Sequence, residues 1–119
     1  MFIEKEILSV GICIGSSTIS IVKMSGGILP KINSVEQFSH EGNHKELLKK
    51  YFANKNFKNY SVVVTGRKFK NLINATSVPE PKCIENALRF TGLAGQKLAI
   101  ASLGAENFMV YSVNERGGL

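Results

Sequence analysis

Aspartate is missing altogether: the nine acidic residues of this 119-residue chain are all glutamates, against 15 lysines and arginines, for a formal charge of +6. Hard cations such as Mg²⁺ are held by carboxylate oxygens and water, so chemistry that needs short carboxylates at strand ends finds none here. Cysteine is scarce as well. Cys13 and Cys83 lie far apart, form no CxxC pair, and do not combine with His40 and His44 into a metal-ligand spacing. No apolar run approaches the ~18 residues of a membrane-spanning helix. The start, Met1-Phe2-Ile3-Glu4-Lys5-Glu6, lacks the basic-then-apolar order of a signal peptide. The expectation is a cytoplasmic protein with no membrane partner.

What is present suits a globular domain. The hydrophobic content is 44% and the length allows one real core. Much of the positive charge lies within residues 45–70. Such a stretch can bind polyanions, but few aromatics are interleaved with it, which makes nucleic acid an unlikely partner. Lysines on the outer face of a helix are ordinarily just solvated.

Alternation of apolar residues predicts a central strand over residues 7–14, apolar on both faces, and a returning strand over residues 18–24. Ser25-Gly26-Gly27 reads as a hairpin turn, and a third strand over residues 28–38 carries Pro30, a mark of an edge. Asn43 with Glu46 resembles a capping box for a helix bearing Leu47, Leu48, Tyr51 and Phe52. A buried strand follows over residues 60–65, and a weak extended piece near residues 72–76. Pro79 and Pro81 open a second helix that Gly92 ends. Two last strands, 98–103 and 108–113, are joined at Gly104-Ala105-Glu106-Asn107. The order βββαβαββ implies an α/β fold, a mixed five-stranded sheet with flanking helices, because a helical crossover sets its strands parallel.

Two hairpins, at residues 7–24 and 98–113, share a strand–small turn–strand pattern. The first turn, Gly15-Ser16-Ser17-Thr18, has backbone N–H groups and hydroxyls suited to cradling a phosphate, while taken alone the same Gly and Ser residues serve any tight hairpin. Gly11-Ile12-Cys13-Ile14-Gly15-Ser16-Ser17-Thr18 resembles the Gly-Ile-Asp-Ile-Gly-Ser-Thr-Thr opening of the ATPases that activate 2-hydroxyacyl-CoA dehydratases and benzoyl-CoA reductases, the BadF/BadG/BcrA/BcrD type of the actin-like ATPase superfamily. Lys23 falls near the lysine or valine-lysine that usually follows that opening. Thr65-Gly66-Arg67 is similar to the family's Thr-Gly-Tyr-Gly-Arg, Glu80-Pro81-Lys82-Cys83 to its Glu-x-x-Cys helix start, and Ser102-Leu103-Gly104-Ala105-Glu106-Asn107 to its second phosphate motif, Asp-Ile-Gly-Gly-Gln-Asp.

The resemblance implies a ribonuclease H-like domain at residues 1–97 and, at 98–119, the opening hairpin of a second similar domain in a chain that looks truncated. It implies ATP with Mg²⁺ as cofactor, and as partner a CoA-substrate dehydratase or reductase component, or the rest of a longer chain. It also implies candidate phosphate contacts at Gly15, Ser16, Ser17, Thr18 and Gly104. The departures are specific. The family's three aspartates are replaced by Cys13, Ser102 and Asn107, and Glu106 stands where the family has glutamine. The family's iron–sulfur cluster segment is not in this stretch. No catalytic residue and no metal ligand are therefore expected, and the reading is a degenerate, non-hydrolysing segment retained for packing or partner contact. The alternatives are an ATP-dependent activator that passes an electron to its partner enzyme, and a basic polyanion-binding module. Cys13 is expected to be buried and slow with thiol reagents, Cys83 to be a buried or half-buried helix thiol that reacts faster. Arg67 is expected to solvate a loop, and His40 and His44 to lie on the surface.

Overall fold

Large and small residues alternate along β1, Leu8–Ile14, and so divide its two faces. Val10, Ile12 and Ile14 are buried, whereas Gly11 and Cys13 are exposed. These features come from a computed structural model that describes residues 7–27, 29–53, 55, 57–66, 74–104, 108–116 and 118. The chain forms two units, Met1–Ser77 and Val78–Leu119.

In the first unit, β2 (Thr18–Ser25) and β3 (Lys31–Ser39) complete an antiparallel meander with β1. Helix α1, His44–Ala53, then carries the chain across so that β4, Tyr60–Thr65, lies parallel to β1. A hairpin reverses direction, while a helical crossover preserves it. Two further residues, β5 at Thr76–Ser77, pair parallel with β4, giving a mixed five-stranded sheet of order β3-β2-β1-β4-β5. The observed order is thus βββαββαββ, with the weak extended piece realised only at its end. Residues 72 and 73 of that piece, and Ile28 at the expected start of the third strand, lie outside the described residues. β3 is an edge strand, as Pro30 anticipates.

The core of this unit joins Val10, Ile12 and Ile14 of β1 to Ile19 and Ile21 of β2, Val64 of β4 and Leu48 of α1. Leu47, Tyr51 and Phe52 of α1 pack against it. Fully burying an aliphatic side chain stabilises by about 1.5–3 kcal/mol, and five of these seven residues come from one hairpin. The expectation of a strand buried on both faces is corrected: β1 offers only one face to this core. Cys13 stands on the other, beside Ser20 and Thr65 in register, and is exposed.

In the second unit, α2 (Glu80–Thr91) starts after Pro79 and stops at Gly92, whose φ of 77° is the left-handed conformation that glycine adopts cheaply. The N–H groups of Gly92 and Leu93 close on the carbonyls of Arg89 and Leu88 at 3.3 and 2.9 Å, a regular helix ending. β6 (Leu98–Leu103) and β7 (Phe108–Val113) form a two-stranded antiparallel sheet. Ser102 on β6 donates its hydroxyl hydrogen to Glu80 Oε1 at 2.9 Å, tying the hairpin to the start of α2.

Candidate phosphate-facing turn

The sequence places Gly15 where β1 must reverse, and the turn is closed by its N–H donating to the Thr18 carbonyl at 2.8 Å. A Cβ at Gly15 would stand 3.2 Å from that same oxygen, so a side chain would push the closure open. Gly66, at the end of β4 with a φ of 148°, faces the carbonyl of Ile14 too closely for any Cβ. Glycine therefore lets β4 end directly against the last residue before the turn. Four of the candidate contacts, Gly15, Ser16, Ser17 and Thr18, are consecutive and half-buried. The fifth, Gly104, follows β6 in the second unit and is exposed.

A row of uncharged polar side chains crosses the sheet just behind the turn. Gln37, Ser20, Cys13 and Thr65 are successive neighbours in the strand register, and Gln37 donates to Ser20 Oγ at 3.2 Å. Thr65 Oγ1 is buried with no hydrogen-bond partner among the described residues. This row carries no formal charge. A polyanion could rest on such backbone donors and hydroxyls, but the set does not fit Mg²⁺, since a thiol is a soft ligand and hydroxyls are neutral. Among the described residues no group of three or more His, Cys, Asp or Glu side chains could hold a metal ion.

His40, expected at the surface, is 2% exposed, which corrects that expectation. Its ring Nε2 lies 2.8 Å from the Gly15 carbonyl, its Nδ1 accepts from Gly42 N–H at 3.0 Å, and its own N–H donates to the Ser17 carbonyl at 2.9 Å. The residue comes to the turn because β3 pairs with β2 through Thr18 and Ser39, which puts position 40 opposite position 17. No local pattern marks it, and only the register of two hairpins would have found it. His44, half-buried at the start of α1, sets its ring edge-on to His40 at 5.0 Å.

Lys23 pairs with Glu36 at 3.9 Å and lies 5.8 and 5.6 Å from the ring centroids of Tyr51 and Phe57. Lys55 stands 3.3 Å from the Tyr51 centroid. These two lysines are engaged with the aromatic cluster beside α1, whereas Lys45, Lys49 and Lys50 are exposed along the helix. Cys83, half-buried in α2, has its Sγ 4.0 Å from the Val78 carbonyl. Arg67, Glu106 and Asn107 lie outside the described residues. No helix of the described residues is long and apolar enough to cross a membrane.

No family model and no curated protein sequence matches this chain. Solved structures do match. An activator of the 2-hydroxyisocaproyl-CoA dehydratase from Clostridium difficile, solved with bound ADPNP, superimposes with a TM-score of 0.71 at 20% identity, covering 95% of this chain and 43% of its own. A Ppx/GppA family member from Aquifex aeolicus gives a TM-score of 0.56 at 10% identity, covering 96% of this chain and 52% of its own. A second structure of an Aquifex aeolicus Ppx/GppA enzyme gives 0.57 at 9% identity, over 92% and 52% of the two chains. At such identities the likeness shows the fold, which is that of the actin-like, ribonuclease H-like ATPases. The chain spans about half the length of these neighbours or less.

Proposed function

We propose that this chain is the N-terminal segment of an activator-type actin-like ATPase in which the phosphate-facing turn persists and the hydrolytic charges do not. The observation that carries the reading is the exposed Cys13, set in a neutral polar row immediately behind a closed Gly15-Ser16-Ser17-Thr18 turn. Exposure at position 13 is what a side chain facing a nucleotide cleft requires, and a thiol there supplies no oxygen for a metal-bound water. Residues 98–119 are then the opening hairpin of a second similar domain, and Gly104 its phosphate-side residue. The rest of the cleft comes from further chain or from a partner. The segment binds the polyphosphate of a nucleotide through backbone donors and serves in packing or in contact with a CoA-substrate dehydratase or reductase component. The dehydratase-activator neighbour and its bound ADPNP support that choice within the superfamily.

The test is titration of ADPNP with and without Mg²⁺, beside a phosphate-release assay on ATP. The expected result is binding that Mg²⁺ does not strengthen, lost in Gly15→Val, with no phosphate release. Mg²⁺-dependent turnover abolished by Gly15→Val overturns the non-hydrolysing reading in favour of the ATP-driven activator. Binding to nucleic acid that weakens steeply with salt would favour the polyanion-binding module.

A further inference from the structure

His40 is held on four sides. Its N–H goes to Ser17, its carbonyl accepts from Asn43 N–H at 2.7 Å, and its two ring nitrogens meet Gly42 and Gly15. An N–H can only donate, so the Gly42 contact makes Nδ1 the lone-pair nitrogen, and the ring hydrogen sits on Nε2, aimed at the Gly15 carbonyl. The tight backbone after it, with Glu41 at φ 48° and Gly42 at φ 85°, brings the Gly42 N–H back to the ring.

In a trans peptide the C=O and the following N–H lie in one plane and point in opposite directions, and no peptide bond among the described residues is cis. The Gly15 carbonyl drawn to the ring therefore turns the Ser16 N–H away from His40. The Ser17 carbonyl drawn to the His40 backbone does the same for the Thr18 N–H. We propose that His40 is the positioning residue of the phosphate-facing turn, clamping two carbonyls on one side so that the amides of Ser16 and Thr18 are presented on the other to the polyphosphate of a nucleotide. The role rests on the nucleotide reading above. Donors fixed in advance bind an anion without reorganisation, and a residue distant in sequence supplies that fixity here.

The two ring contacts separate by substitution. Asn at position 40 keeps an acceptor for the Gly42 N–H but is too short to reach Gly15, whereas Gln carries a donor near the place of Nε2. His40→Asn is expected to weaken Mg²⁺-free ADPNP binding about tenfold, as loss of one positioned hydrogen bond does. His40→Gln is expected to recover wild-type affinity, with melting temperatures recorded for both. Equal losses in the two variants, or losses that follow melting temperature alone, overturn the proposal. Absence of saturable ADPNP binding by the wild type overturns the nucleotide reading and the positioning role with it. Binding left intact by His40→Asn overturns the positioning role alone. In the wild-type protein, ADPNP should shift the Ser16 and Thr18 amide resonances more than any others of β1 and β2, and no shift at those two amides also overturns it.

Discussion

The chain contains one local pattern twice, and the two copies have different surroundings. In the first hairpin, Ile12, Ile14, Ile19 and Ile21 are at most 2% exposed, because β3 and β4 flank it and α1 packs on its apolar face. In the second, Leu103, Phe108 and Val110 are 81, 73 and 63% exposed, and the sheet has only two strands. Alternation makes a strand, but neighbours make it a core. A two-stranded sheet is marginal in water, so the second hairpin depends on its tie to α2.

Substitution inside the first hairpin should give the largest effect that separates the two. Ile12→Ala removes buried methylenes between β2 and β4 and should cost about 2–5 kcal/mol, read by urea denaturation. Gly66→Ala comes next, on the order of 3 kcal/mol, because its new methyl meets the Ile14 backbone and not a side chain that can move. Ser102→Ala should cost about 1 kcal/mol, the value of one hydrogen bond, and should raise amide exchange in β6 and β7 while leaving β1 unchanged. A loss spread evenly over both units would break the contrast.

Cys13→Asp lies lower still. The side chain is exposed, so a carboxylate there should lower the melting temperature by no more than a few degrees. Outright unfolding would return position 13 to the core. In partial alkylation read by mass spectrometry, Cys13 should now react ahead of the half-buried Cys83, the reverse of the order expected from the sequence. The smallest effect belongs to the second hairpin. Leu103→Ser should stay within about 0.5 kcal/mol, and a larger loss would mean that this residue is covered in solution.

Element order, apart from β5, and turn positions are legible because period-two alternation, Gly-rich turns and Pro30 each act locally. β1 misled because residues 7–14 look apolar throughout. The informative difference was size: Ser9, Gly11 and Cys13 alternate with Val10, Ile12 and Ile14, and small residues mark the face away from α1. Gly66 belongs to a motif in the sequence, but its steric reason appears only when β4 lies parallel to β1. His40 was hidden for the same reason. Its partners are 23 and 25 positions back in the chain at Ser17 and Gly15, a relation made by strand register and carried by no motif.

The parallel seam between β1 and β4 has a kinetic consequence. The β1–β2–β3 meander closes through short turns, but β4 must bring Val62 beside Val10 across the whole of β2, β3 and α1. Closing that long loop has an entropic cost before any contact repays it, so the meander is expected to form first and the seam to zip late. Weakening Val64 should then act mainly by hastening unfolding, and weakening Ile19 by slowing folding. On that order the ends of β1 and β4, where Gly66 meets Ile14, would assemble last, on a turn that the earlier meander and His40 have already set.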